Sequence, residues 1–215
     1  MIRQFLLVWA LMLTGSVSAW ACPEAFRKDP MKANWIYCNT FEPGEPLDVQ
    51  FLGKTQLTLS VSFGGHLGAS EAHQGRGFVR LAPTATGEWA AMVRSQTVRA
   101  GDSCTFAVWV KTSATLTDGV VRVSRDGDQR RMRTILTEHA LTGARPAGNP
   151  KDNGYELVEL SFPTNDSTKL LFYVGMSGNG KDSWIELDDM AILCDPLGPS
   201  EAPPNGTTSG RPQHQ

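Results

Sequence analysis

The sequence contains no C-x-x-C pair, which argues against a cysteine-rich metal site. After its first residues it has no second long apolar stretch, and a membrane-spanning helix needs about 20 apolar residues. It has no basic excess: 20 Lys and Arg face 22 Asp and Glu, so nothing in the charge points to a nucleic acid. No amphipathic helix of three turns stands out. The four histidines, His66, His73, His139 and His214, are scattered, and none lies in a metal or nucleophile motif. Glu156, Glu159, Glu186 and Asp188 offer carboxylates without the opposed pairing that glycoside hydrolysis requires.

What is present begins with an export signal. Arg3 supplies a positive start, Phe5 to Leu13 an apolar run, and Ala19-Trp20-Ala21 a small-x-small cleavage site. Residues 1–21 are therefore expected to be a signal peptide, and the protein to be secreted and not inserted in a membrane. Cleavage there makes Cys22 the first mature residue. A lipoprotein anchor in the periplasm or at the cell surface ranks below secretion, because Ala19 and Trp20 stand where Leu and a small residue are usual. Cys22, Cys38, Cys104 and Cys194 form an even set, suited to two disulfides in an oxidising compartment. Four cysteines allow three connectivities; Cys22–Cys38 with Cys104–Cys194 is favoured, the second joining strand ends distant in sequence. Residues 196–215 are rich in Pro, Gly, Ser, Thr and Asn and read as a disordered tail. Asn165-Asp166-Ser167 and Asn205-Gly206-Thr207 are glycosylation sequons, relevant only in a eukaryotic host.

Between the ends the repeating signal has period two. Leu57, Leu59, Val61 and Phe63 alternate with polar residues, and Phe106, Val108 and Val110 alternate with Ala107, Trp109 and Lys111. Similar runs occur at Gly77–Ala82, Trp89–Val98, Val120–Arg125, Met132–Glu138, Tyr155–Phe162, Leu170–Val174 and Trp184–Leu193. Turn residues punctuate them at Ala100-Gly101-Asp102, Asp118-Gly119, Asp126-Gly127-Asp128, Pro163 to Asp166 and Gly178-Asn179-Gly180. Nine or ten short strands so spaced imply an all-β, antiparallel β-sandwich over residues 22–195, as a single domain. His139 to Gly154 interrupts the rhythm as a long loop.

Four stretches carry a family resemblance. Asn39-Thr40-Phe41-Glu42-Pro43-Gly44 is similar to an N-G-x-F-E-x-G signature, with Cys38 before it and Thr40 in place of its Gly. Val98 to Lys111 resembles a v-x-x-G-x-x-Y-x-f-s-x-W-v-K strand, with Cys104 in place of the aromatic. Tyr155 to Phe162 resembles a W-x-x-v-x-x-x-F strand, and Trp184 to Ile192 a closing i-x-i-D-D-v-s-l strand. In this order they resemble the jelly-roll carbohydrate-binding modules of the 4/9, 16 and 22 type.

The resemblance implies two sites. The first is a structural calcium ion held by Glu42 and one of Asp188 and Asp189. Adjacent strand residues point to opposite faces, so only one aspartate should reach the ion, and Asp188 is preferred. The second is a sugar platform, because pyranose rings pack on aromatic faces and their hydroxyls take planar polar partners. Its candidates are Trp109, Tyr155, Trp89, Trp184 and Glu159; Trp109 and Tyr155 lie on the face opposite the aliphatic positions of their strands. The leading functional expectation is a secreted, non-catalytic module binding a polysaccharide or other glycan. An extracellular structural or adhesive sandwich with a protein partner comes second, and a glycan-active hydrolase or lyase third.

Overall fold

The computed structural model describes residues 34–42, 44–53, 72–75, 77–83, 85–125, 134–143, 152–165, 169–178 and 182–196. The signal peptide, Cys22, the run at Thr55–Phe63, the turn at Asp126-Gly127-Asp128, His66 and the tail from residue 197 lie outside them. Ten strands follow in order: β1 Trp35–Asn39, β2 Gln50–Gly53, β3 Val79–Leu81, β4 Trp89–Thr97, β5 Asp102–Thr112, β6 Asp118–Arg125, β7 Ile135–Leu141, β8 Glu156–Pro163, β9 Lys169–Ser177 and β10 Ile185–Pro196.

They form two five-stranded sheets in which every pairing is antiparallel. The first runs β1-β10-β5-β8, with β3 beside the other end of β10; the second runs β2-β4-β9-β6-β7. Period-two alternation produces the sandwich. Phe106, Val108 and Val110 of β5, Val158, Leu160 and Phe162 of β8, and Ile185, Leu187 and Ile192 of β10 turn inward. Opposite them lie Ala90 and Met92 of β4, Val121 and Val123 of β6, and Leu170, Phe172, Val174 and Met176 of β9. Phe172 meets Phe106 edge-on at 5.2 Å between ring centroids, locking the two layers together. Each such side chain, fully buried, contributes about 1.5–3 kcal/mol. The chain is an antiparallel β-sandwich, as its alternation implies.

Cys104 and Cys194 sit directly opposite on β5 and β10 and are disulfide-bonded, so one of the two expected bridges is present. Cys38 is also disulfide-bonded.

Three local expectations are corrected. Asp118-Gly119 is not a turn but the start of β6, paired with Ser177 and Met176. A Cβ on Gly119 would approach Ile185, Leu116 and Leu141 at 3.1 Å, so the glycine serves close packing there. The long loop begins later than His139, because β7 continues to Leu141, which pairs with Gly119 and is buried in the core. The third concerns Asp188 and Asp189. Trp109 pairs with Asp188 and Val108 with Met190, so Asp189 is the extra residue of a β-bulge, at φ 42°. The bulge suspends the alternation, and both carboxylates reach the outer side of the first sheet, where His73 contacts each of them.

Candidate functional site

The outer face of the first sheet carries most of the expected site residues, and around Trp109 and Tyr155 it is covered. Ala107 and Trp109 of β5, Tyr155 before β8 and Ala191 of β10 form a small second cluster, with Trp35, Cys38, Leu157 and Leu193 packed around it. Trp109 is 6 % exposed and Tyr155 1 %. The cover is His73, whose ring stacks on Trp109 at 3.8 Å and meets Tyr155 edge-on at 5.9 Å. Ala72 is fastened alongside by a bond from Asn153 Nδ2 to its carbonyl, 2.8 Å. Burial pushes the Tyr155 hydroxyl far up from its ordinary value, with the charges of Glu186 and Asp188 adding to it. Glu159 is exposed on β8 opposite Ala107. Trp184 is half-buried before β10, with the Arg80 guanidinium 4.8 Å above its ring. Arg80 Nε also donates to the fully buried Glu186 at 2.8 Å.

At the bulge the two aspartates have different partners. Asp188 accepts three backbone N–H bonds: Oδ2 from His73 at 2.7 Å and Gln74 at 3.3 Å, Oδ1 from Asp189 at 2.8 Å. Asp189 Oδ2 lies 2.7 Å from His73 Nδ1, and its Oδ1 is buried with no hydrogen-bond partner among the described residues. Burial raises the Asp188 carboxyl well above the usual range; the neighbouring Asp189 charge adds to this and the amides oppose it. Burial also raises Asp189, His73 draws it down, and the charges of Glu42 and Glu45 push it up. Glu42 Oε1 accepts from Gly77 N at 3.1 Å and Glu45 Oε2 from Thr40 N at 2.8 Å, which ties the Asn39–Gly44 signature in place. Among the described residues no group of three or more His, Cys, Asp and Glu side chains is arranged to hold a metal. An ion here would therefore be completed by carbonyls and water, which calcium accepts. The orphaned, buried Asp189 oxygen with Glu42 and Glu45 acting on it fits such an ion; the Asp188 oxygens are already engaged by backbone amides.

The outer face of the second sheet is built differently. Tyr173 of β9 lies over Gly175: a Cβ on that glycine would meet the tyrosine hydroxyl at 2.3 Å and Cζ at 2.5 Å. The ring thus lies along the strand on the sheet, half-buried. Its cross-strand neighbours are Val93 of β4 and Arg122 of β6, and Arg122 Nε donates to Glu138 of β7 at 2.8 Å. Trp89 starts β4 in the same phase as Ala91 and Val93, so it shares this face. It is 43 % exposed, the most open of the expected aromatics. It lines an open cleft of 550 Å³ with Gly53, Ala85, Thr86, Gly87 and Glu88. From the strand rise and spacing, Trp89 and Tyr173 lie about 13–14 Å apart.

Tyr173 and His73 were the residues missed. Leu170, Phe172 and Val174 define the buried phase of β9, so Tyr173 is the aromatic of the opposite phase, with a glycine two positions on. His73 carries no comparable signal, since the two aspartates it contacts are more than a hundred residues away.

No family model and no curated relative matches the chain. Solved structures do. A tandem of two family 22 carbohydrate-binding modules from Paenibacillus barcinonensis Xyn10C aligns over 83 % of this chain and 49 % of its own, at 15 % identity and TM-score 0.51. The K3 adhesin domain of Lys-gingipain from Porphyromonas gingivalis aligns over 74 % of this chain and 99 % of its own, at 18 % identity and TM-score 0.50. A family 61 carbohydrate-binding module, solved with β-1,4-galactotriose, aligns over 71 % and 92 % at 15 % identity and TM-score 0.46. In fold, the chain is a β-sandwich of the kind found in carbohydrate-binding modules and in an adhesin domain.

Proposed function

We propose that the protein is a secreted, non-catalytic glycan-binding module whose ligand lies on the outer face of the second sheet. The observation that carries this reading is the pairing of two aromatic side chains on one face: Tyr173 laid over Gly175, and Trp89 exposed beside an open cleft. Pyranose rings stack on such faces, while the planar Arg122–Glu138 pair offers donors and acceptors to hydroxyls. The spacing of about 13–14 Å suits an oligosaccharide better than a single sugar. A glycosidase requires two opposed carboxylates, whereas Glu138 on this face is engaged by Arg122. The export pattern of residues 1–21 and the Cys104–Cys194 disulfide support secretion.

The test is retention of the mature protein on insoluble glucan, xylan, mannan and chitin. Retention on one of them, lost in Tyr173→Ala and reduced in Trp89→Ala, is expected. Failure to bind any, or full retention by Tyr173→Ala, refutes the reading. The adhesive alternative draws on the fold shared with the adhesin domain, and fold alone does not select function. It would be favoured by a protein partner captured without glycan.

A structural calcium ion belongs to the same proposal, held by Asp189 Oδ1 with Glu42 and Glu45 contributing charge. Such an ion would offset the cost of a buried, unpartnered carboxylate oxygen and tie the N-terminal signature to β10. EGTA should lower the melting temperature; no change refutes the ion.

A further inference from the structure

We infer that His73 is the positioning residue of the cation site, holding Asp189 so that Oδ1 is presented as a ligand; this rests on the calcium reading above. Asp189 stands on the bulge at φ 42°, outside the regular ladder, so the pairing of β10 with β5 does not fix its side chain. His73 does. Its Nδ1 lies 2.7 Å from Asp189 Oδ2, and with the carboxylate ionised the nitrogen is the donor. The ring is fixed in turn by three contacts. It stacks on Trp109 at 3.8 Å, its backbone N–H donates to Asp188 at 2.7 Å, and its Nε2 stands 4.0 Å from Asp152. The His73 side chain is 4 % exposed and that of Asp189 1 %. With one carboxylate oxygen bound and the other orphaned, the group cannot turn without losing the only hydrogen bond its side chain makes among the described residues. Ligating carboxylates are characteristically held this way by a hydrogen bond from behind.

The arrangement also gives Asp188 a function without making it a ligand. Its carboxylate binds the amides of His73 and Gln74, and so places the imidazole over Trp109. The aromatic pair expected to hold sugar instead forms the seat of a histidine.

Calcium titration calorimetry on the full mature protein, with melting temperatures in calcium and in EGTA, tests this. The wild type should bind calcium and Asp189→Asn should not. His73→Phe keeps a ring on Trp109 but loses the donor, and should bind roughly 10–100-fold more weakly. His73→Asn, whose amide nitrogen can replace Nδ1, should recover most of that affinity although it loses the stacking. If His73→Phe does not fold, His73→Gln, whose amide reaches toward the Nε2 position, makes the same comparison. Wild-type affinity in His73→Phe overturns the inference while leaving the calcium site standing. Equal weakening in the Phe and Asn variants, in step with their melting temperatures in EGTA, also overturns it and makes the role one of packing. No calcium binding by the wild type removes the calcium reading itself, and is seen without any variant.

Discussion

Removing the Cys104–Cys194 bridge should be among the most damaging changes in the molecule, and its size follows from where the bridge lies. The two cysteines are 90 residues apart, and the loop they close holds every strand from β5 to β10. Restricting an unfolded chain over a loop of that length is worth about 4.6 kcal/mol at 25 °C. The native state gives little back. Cys104 and Cys194 already face each other across the β5–β10 ladder, so that pairing survives when the covalent link is gone. Both sulfurs are buried in the main core, and trimming them to Ala adds a small packing loss. At about 2–4 °C per kcal/mol for a chain of this size, the double variant Cys104→Ala/Cys194→Ala should melt about 9–18 °C lower. Scanning calorimetry without reductant measures this, because the disulfide at Cys38 is then left intact. A drop below about 3 °C would refute loop closure as the source of the stability, since no native contact is available to compensate.

Gly175→Ala should separate binding from folding: the new Cβ meets the end of the Tyr173 side chain, so the ring lifts, glycan retention falls, and the melting temperature changes little. Burial pushes the Tyr37 hydroxyl up to about 12, opposed by the charge of Arg94, whose guanidinium lies 3.5 Å from the centre of the Tyr37 ring. A folded value above the unfolded one of about 10 means stability that is present below pH 10 and lost as pH rises toward 12. Phenolate absorbance should show a tyrosine titrating near pH 12 that disappears in Tyr37→Phe, while Tyr155, held higher still by burial, is unaffected. Arg80→Met removes the guanidinium paired with the fully buried Glu186 and should cost about 3–5 kcal/mol by urea denaturation; a change under 1 kcal/mol would contradict the contribution of that pair.

The sandwich was legible because strand alternation is a local signal. Phe106, Val108 and Val110 turn inward and Trp109 outward, as their spacing requires. The short strands were harder to read. β2 has four residues, with Gln50 exposed and Phe51 to Gly53 each half-buried, too little for a period to appear. The site was legible in residue type and illegible in placement. Alternation puts Asp188 and Asp189 on opposite faces, and only the bulge, set by long-range pairing of β10 with β5, brings both to His73. Trp109 and Tyr155 were assigned the correct side of their sheet. What covers that side arrives from residues 72–75, and no local pattern in β5 or β8 announces it.

The two outer faces are each covered in part: Trp109 and Tyr155 on the first, and Ala91, Val93 and Leu171 on the second, are buried. A sheet outside the core must either solvate its side chains or cover them. The first sheet covers: its row of Lys111, Glu186, Asp188 and Trp109 is closed by Arg80, Tyr155 and His73, leaving Glu186 and Asp188 fully buried. Charge placed so deep is tolerable only with fixed partners, which makes that face rigid and specific in geometry. The second sheet keeps an aromatic ring flat, a tryptophan exposed and its ion pair, Arg122–Glu138, open to water. Water competes with an exposed ion pair, and an incoming hydroxyl can replace that water at little cost. On the proposed reading a hydroxyl-rich ligand is received on the second face, beside Trp89 and the Arg122–Glu138 pair. If Trp109→Phe abolished glycan retention while Tyr173→Ala left it intact, the assignment of faces would be reversed.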